Sequence, residues 1–139
     1  MKPEAQFQKD LAIAAAVCGC LLIDIPDPVP SAKLRFNNRE KKRPFDCVLV
    51  TPDKVYCLEL KCQYGKQMPH QKRTEQLIGS VNPCAYYVVT KRRLKEGLFF
   101  IIKGIGGVDL RASDEIEVVR IFMDTRRSEY DRRKTIRTG

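Results

Sequence analysis

Residues 43–61, RPFDCVLVTPDKVYCLELK, contain two apolar runs with a short polar break between them. Phe45 to Thr51 and Val55 to Lys61 are rich in Val and Leu, and Pro52-Asp53 separates them. Such runs favour strands, so the pattern predicts a β-hairpin. Because both runs are apolar on both faces apart from three charged residues, we expect the hairpin to lie in the middle of a sheet.

The three charged residues of the hairpin are Asp46, Glu59 and Lys61. Side chains alternate across a strand, so Glu59 and Lys61 point to the same face. If Thr51 faces Lys54 across the turn, Asp46 falls opposite Glu59, with about 5 Å between the Cβ atoms. Two carboxylates this close repel each other unless a cation lies between them, and Mg²⁺ takes oxygen ligands of this kind. A buried structural ion pair of Glu59 with Lys61 is the alternative.

The segments that flank the hairpin predict helices and further strands. The first helix begins near Pro3 and its apolar stripe comprises Phe7, Leu11, Ala14, Ala15 and Cys18. A second helix runs from Pro69 to about Val81, with His70, Thr74, Leu77, Ile78 and Val81 on one side. Short strands are predicted at Leu21 to Ile25, Ala85 to Val89 and Leu98 to Lys103, whereas residues 113–130 show features of both helix and strand. The order predicts a mixed α/β domain with helices packed on one central sheet.

The chain is strongly basic, with 26 Lys and Arg against 17 Asp and Glu and a net charge of +9 over 139 residues. This excess favours a polyanionic partner such as nucleic acid, although an anionic membrane surface would be served equally well. We expect one domain over residues 1–125 and a basic, flexible tail over residues 126–139. An irregular basic arm precedes the hairpin and contains Lys33, Arg35, Arg39, Lys41, Lys42 and Arg43.

The six cysteines show no C-x-x-C pair, and the single histidine has no cysteine at zinc-ligand spacing. We therefore expect free thiols in a reducing intracellular compartment, the cytoplasm, with Cys47, Cys57 and Cys84 in the core. The apolar run from Leu11 to Ile23 is too short to span a membrane, and a buried helix leading into a strand explains it better.

The arrangement Pro44-Phe45-Asp46 followed by Glu59-Leu60-Lys61 resembles the signature of the PD-(D/E)xK nuclease superfamily, with Phe45 inserted between the usual adjacent pair. Residues 4–89 also resemble the core order of that superfamily, which is helix, strand, hairpin, helix, strand. Within it, the chain is similar to VRR-NUC domains and small Holliday junction resolvases. The resemblance implies a restriction-endonuclease-like core, in which helices flank a central mixed β-sheet, and Mg²⁺-dependent cleavage of branched or structured DNA.

The resemblance also implies roles for the hairpin residues. Asp46, Glu59 and the Leu60 carbonyl would hold Mg²⁺, for which Mn²⁺ can substitute. The ion would polarise the scissile phosphate and lower the pKa of an attacking water. Lys61 would orient that water and offset the negative charge that develops on the phosphate.

Members of these families also place an acidic residue in the first helix and a glutamine at the start of the helix after the lysine. Glu4 and Gln71 are the matching positions, and Gln8, one turn after Glu4, is the alternative. Glu4 could equally be a solvated acid that complements the helix dipole, and Gln71 could be an exposed polar residue. In these families the metal does the work of a general base, so we expect His70 to be a helix-start or DNA-facing residue. Because they are basic, Lys72, Arg73 and the basic arm would contact phosphates.

Two further readings compete with a nuclease: a DNA-binding module of the same fold without catalysis, and an RNA-binding component. The complete set of Asp46, Glu59 and Lys61 argues against the first, and the lack of an aromatic stacking platform argues against the second. If the chain resolves four-way junctions, two symmetric cuts require a two-fold homodimer. A monomer would suffice for cutting one strand of a flap or fork.

Overall fold

The computed structural model describes residues 3–26, 45–63, 65–104 and 109–124. These residues form, in chain order, α1 (Pro3–Val17), β1 (Leu21–Asp24), β2 (Cys47–Val50), β3 (Val55–Cys62), α2 (Pro69–Val81), β4 (Tyr86–Leu94), β5 (Gly97–Gly104), β6 (Leu110–Ala112) and α3 (Glu115–Met123). The predicted basic arm at residues 33–43 and the predicted tail at residues 126–139 lie outside the described residues.

The six strands form one sheet in the order β1-β2-β3-β4-β5-β6. Every neighbouring pair is antiparallel except β3 and β4, which are parallel. Parallel neighbours need a crossover connection, and α2 lies in that connection. The prediction of a mixed α/β domain with helices on one central sheet is therefore confirmed.

The hairpin of β2 and β3 has the predicted register and the predicted central place in the sheet. Cys47 pairs with Leu58 and Val50 with Val55. At the turn, Thr51 N donates to Lys54 O over 2.8 Å. The Thr51 hydroxyl accepts from Lys54 N and donates to Lys54 O, each over 3.0 Å. These side-chain bonds hold the strands together across Pro-Asp, a pair that is not typical of two-residue hairpin turns.

Helices α1 and α3 pack on one face of the sheet and enclose the apolar core. The stripe predicted on α1 is the buried side, since Phe7, Leu11, Ala14 and Ala15 are buried and Cys18 is half-buried. Strand residues that point to this face complete the core, among them Leu58, Leu60, Tyr87, Val89, Phe100 and Ile102. Because strand side chains alternate, Glu59 and Lys61 point to the opposite face, away from α1 and α3.

The ambiguous region after residue 112 forms a helix. The Asp114 carboxylate caps α3 by accepting from Glu117 N over 2.8 Å. Val118 and Phe122, one turn apart, are buried with Val119. The β-branched residues that favour a strand are tolerated in the helix because this spacing places them against the core.

Helix α2 buries only part of the predicted side, since His70, Thr74 and Ile78 are half-buried. Leu77 and Val81 are 71% and 87% exposed, whereas Gln71 is buried and Ile78 is half-buried. The apolar residues of this stripe therefore do not together form a buried face. The buried side of α2 comprises Gln71, with Thr74, Glu75 and Ile78 half-buried in the following turns.

All six cysteines are free. Cys47 and Cys84 are buried as expected, but the expectation for Cys57 is wrong because it is only half-buried. Cys57 lies two residues before Glu59 and so points to the face that α1 and α3 leave uncovered. Within the described ranges, no helix is long and apolar enough to cross a membrane.

Two substitutions in α1 test which side of this helix is buried. Leu11→Ala should lower the free energy of unfolding by about 2–5 kcal/mol, because it leaves a cavity in the core. Ile13→Ala is the matched control, since Ile13 is 66% exposed, and it should change stability by less than about 0.5 kcal/mol. Urea denaturation measures both, and equal losses would contradict the packing described here.

Candidate active site

Asp46 lies directly before β2, and its backbone leaves the regular ladder. Its N–H donates to Leu58 O over 3.0 Å. Its carboxylate oxygen Oδ2 accepts from the backbone N–H of Leu60 over 2.6 Å, and the residue is buried. Because hydrogen bonds to an ionised acceptor are strong, this contact holds the Asp46 carboxylate against β3 beside Glu59 and Leu60.

Glu59 is fully buried on the face opposite the core cluster. Its Oε1 accepts from the Tyr86 hydroxyl over 2.6 Å and from Gln67 Nε2 over 3.5 Å. Its Oε2 is buried and has no hydrogen-bond partner among the described residues. A buried carboxylate oxygen without a partner is energetically unfavourable, so this atom is the most unusual feature of the site.

Burial raises the pKa of Glu59 above its ordinary value. The hydrogen bond from Tyr86 and the positive charge of Lys61 oppose this shift, while the negative charge of Asp46 adds to it. Burial and the Glu59 carboxylate in turn raise the pKa of the Tyr86 hydroxyl, which stays a proton donor. Burial therefore makes the ionised form of Glu59 less favourable than in an exposed glutamate, and a cation at this place would have the opposite effect.

Lys61 is buried and points to the same side of β3 as Glu59. Within the described part of the chain it forms no ion pair closer than 4.0 Å, although its charge lowers the pKa of Glu59. The alternative of a direct structural ion pair between Glu59 and Lys61 is therefore not what this structure contains.

Of the two residues considered on α1, Glu4 lies near the Lys61 side chain, whereas Gln8 bonds to a residue of β1. A Cβ atom built on Gly65 would lie 3.4 Å from Lys61 Cδ and 3.6 Å from Glu4 Oε1, so these two atoms are at most 7.0 Å apart. Gln8 Nε2 instead donates to Asp24 Oδ1 on β1 over 2.6 Å. The position of Gly65 leaves little room for a side chain between Glu4 and Lys61.

Gln71 is buried, but its carbonyl oxygen is used locally. Gln71 Oε1 accepts from Met68 N over 2.8 Å and so satisfies a backbone donor at the start of α2. No hydrogen bond from Gln71 to Lys61 occurs among the residues that the structure describes. The predicted role of Gln71 in bracing Lys61 stays a prediction, and helix capping is the role that the contacts show.

The predicted DNA contacts are divided between described and undescribed parts of the chain. Lys72 and Arg73 are exposed in the first turns of α2, and His70 is half-buried beside them. The His70 carbonyl accepts from the Thr74 hydroxyl over 3.0 Å. The six residues predicted in the basic arm lie outside the described ranges: Lys33, Arg35, Arg39, Lys41, Lys42 and Arg43.

Asp46 and Glu59 could together hold a divalent cation, with the Leu60 main chain beside them. The described residues contain no group of three or more His, Cys, Asp or Glu side chains that could hold a metal. Mg²⁺, however, is usually bound by one or two carboxylates and completes its shell with waters and substrate phosphates. The buried, unpartnered Oε2 of Glu59 fits such an ion, because a cation would satisfy it.

Two residues of the site, Tyr86 and Gln67, were not predicted from the sequence. Tyr86 lies in β4, and the parallel register pairs it with Cys57 of β3. Cys57 is two residues before Glu59, so Tyr86 and Glu59 lie on the same face of the sheet. The Tyr86-Tyr87 pair does signal one tyrosine on each face. It does not give the parallel register, which fixes the contact with Glu59.

No protein-family model matches the chain, and no curated protein matches its sequence.

The raised pKa of Glu59 predicts how stability depends on pH without metal. The pKa of Glu59 is about 4.3 in the unfolded protein and higher in the folded protein. Between these two pKa values the folded protein binds more protons than the unfolded protein does. The free energy of unfolding therefore falls as pH rises through this window. Glu59→Gln should therefore be more stable than wild type at pH 7 in EDTA, and the difference should shrink towards pH 4. Urea denaturation across this range measures it, with the exposed Glu96→Gln as control. A wild-type protein more stable than Glu59→Gln at pH 7 would contradict the assignment.

Proposed function

We propose that this protein is a Mg²⁺-dependent endonuclease that hydrolyses phosphodiester bonds in branched or structured DNA. The observation that carries the proposal is the buried Oε2 of Glu59, which has no hydrogen-bond partner among the described residues. It lies beside a second buried carboxylate, Asp46, and on the same side of β3 as a buried lysine, Lys61. An acid pair that can bind a divalent cation, with an ammonium on the same side, is one arrangement that supports metal-assisted phosphodiester hydrolysis.

The order of the elements supports a restriction-endonuclease-like core and membership of the PD-(D/E)xK superfamily. Helix α1, strand β1, the hairpin of β2 and β3, helix α2 and strand β4 follow one another in the order of that core. The three residues of the signature lie at the centre of this arrangement, on the hairpin. VRR-NUC domains and small Holliday junction resolvases remain the members that the chain resembles.

In the proposed mechanism each residue of the site has one task. Asp46, Glu59 and the Leu60 carbonyl would bind Mg²⁺ or Mn²⁺. When bound, the ion supplies Lewis acidity to the scissile phosphate and lowers the pKa of the attacking water. Lys61 orients this water and offsets the negative charge that develops on the phosphate. Glu4, close to Lys61, would hold a second ion or a water on the same side.

DNA binding follows from charge rather than from the site itself. The net charge of +9 favours a polyanion through counterion release. Lys72 and Arg73 are exposed on α2, directly after the loop that supplies Gln67 to Glu59, and would contact phosphates near the site. A two-fold homodimer would bring two such sites to a four-way junction, whereas one copy would cut a single strand of a flap.

The first prediction of this proposal concerns the two carboxylates. Asp46→Asn and Glu59→Gln should each abolish Mg²⁺-dependent cleavage of linear, flap and four-way DNA substrates, because each removes a negative charge from the cation site. Asn keeps an acceptor for Leu60 N, so the fold should be retained. DNA binding in EDTA should be largely unchanged, as measured by fluorescence anisotropy.

Cleavage by either variant at near the wild-type rate would show that the site is wrongly assigned. Wild-type protein that binds these DNA substrates but cuts none of them in Mg²⁺ would favour a DNA-binding module without catalysis. The same binding with RNA preferred over DNA would favour the RNA-binding alternative.

The second prediction concerns Lys61. Because its task is in the transition state, Lys61→Ala should lower the single-turnover rate by about 100- to 1,000-fold and change DNA affinity far less. Lys54→Ala is the matched control, since Lys54 lies at the hairpin turn, at the other end of β3. A loss of affinity without a loss of rate would reduce Lys61 to a phosphate contact.

A further inference from the structure

The two oxygens of the Glu59 carboxylate have different surroundings. The Tyr86 hydroxyl and Gln67 Nε2 both donate to Oε1, over 2.6 Å and 3.5 Å. Oε2 is equally buried but accepts no hydrogen bond from any residue that the structure describes. If the carboxylate could rotate freely, both oxygens would accept hydrogen bonds from these donors in turn. The difference in hydrogen bonding between Oε1 and Oε2 therefore depends on the residues that hold Oε1.

Tyr86 is well suited to hold Oε1 in one position. Its side chain is fully buried, and its ring packs edge-on against Phe45, with 6.4 Å between the ring centroids. Its backbone lies in β4, hydrogen-bonded beside β3 in parallel register with Cys57. The hydroxyl is therefore fixed by the sheet itself, while the longer contact from Gln67 comes from the loop before α2.

We propose that Tyr86, assisted by Gln67, is a positioning residue that makes Glu59 offer a cation one oxygen, Oε2, and thereby favours Mg²⁺ over Ca²⁺. The inference rests on the proposed function, because it concerns the same cation site. Mg²⁺ demands near-ideal octahedral geometry and is commonly bound through one or two carboxylates. Ca²⁺ takes six to eight oxygens and often binds both oxygens of one carboxylate. Because Tyr86 holds Oε1, Glu59 cannot readily bind one Ca²⁺ ion through both of its oxygens.

Tyr86→Phe separates this role from simple packing, because it keeps the ring that contacts Phe45 and removes only the donor to Oε1. Loss of such an outer partner typically weakens metal binding by about 10- to 100-fold. Mn²⁺ shares the octahedral oxygen preference of Mg²⁺ and should show this loss. Ca²⁺ should lose less affinity, since the released Oε1 becomes a second ligand for it.

The experiment is calorimetric titration of the full chain with Mn²⁺ and separately with Ca²⁺, without DNA. It compares wild type, Tyr86→Phe and Gln67→Ala with Tyr87→Phe. The last is a matched control, because Tyr87 is the next residue of β4, is also buried, and points to the core instead of the site. We expect the ratio of Mn²⁺ to Ca²⁺ affinity to fall in Tyr86→Phe, to fall less in Gln67→Ala, and to be unchanged in Tyr87→Phe.

An unchanged ratio in Tyr86→Phe, with wild-type Mn²⁺ affinity, overturns the inference and leaves the proposed nuclease intact. An equal fall in Tyr87→Phe also overturns it, because the effect would then be one of general packing. If Tyr86→Phe does not fold, Gln67→Ala decides alone, and no fall in its ratio overturns the inference. Wild-type protein that binds no Mn²⁺, or binds it equally after Glu59→Gln, overturns both the inference and the proposed cation site.

Discussion

The burial of the Glu59 carboxylate at the centre of the sheet is the constraint on which the site depends. A charge in this position is unfavourable unless it is compensated, and the protein compensates only one of its two oxygens with residues that the structure describes. The adjacent Asp46 makes the deficit larger, because its own charge raises the pKa of Glu59. Burial and the neighbouring carboxylate therefore both disfavour the ionised form of Glu59, a pattern that is common at functional sites.

The rest of the fold places this carboxylate. Helices α1 and α3 cover one face of the sheet with the apolar core, so Leu58 and Leu60 point inwards and Glu59 is left on the other face. Strand β4 lies parallel to β3 and supplies Tyr86 opposite Cys57, two residues before Glu59 and on the same face of the sheet. The crossover that a parallel pair requires also brings Gln67, directly before α2, to the same carboxylate.

The sequence predicted the elements with a clear period and missed the features set by tertiary contacts. The predicted register was correct from Val50 with Val55 to Cys47 with Leu58, because Thr51 and Lys54 face each other at the turn. Asp46, predicted to lie directly opposite Glu59, instead leaves the ladder and bonds to Leu58 O. The residues of α3 show features of both helix and strand, because its β-branched residues favour a strand and only packing against the core decides between the two. The sequence does not reveal Tyr86 as a site residue, because a parallel register cannot be read from a local turn. Gln71 was predicted to lie in the site, but its side-chain carbonyl caps the start of α2.

The central claim is that Asp46 and Glu59 form a divalent cation site. Anomalous diffraction from crystals of the full chain soaked in Mn²⁺, without DNA, tests it most directly. The account predicts an anomalous peak within about 2.3 Å of Glu59 Oε2, close to the distances at which small divalent ions bind oxygen, and in contact with Asp46. Anomalous peaks that show Mn²⁺ at full occupancy in other sites, together with no peak between these two carboxylates, would contradict this claim.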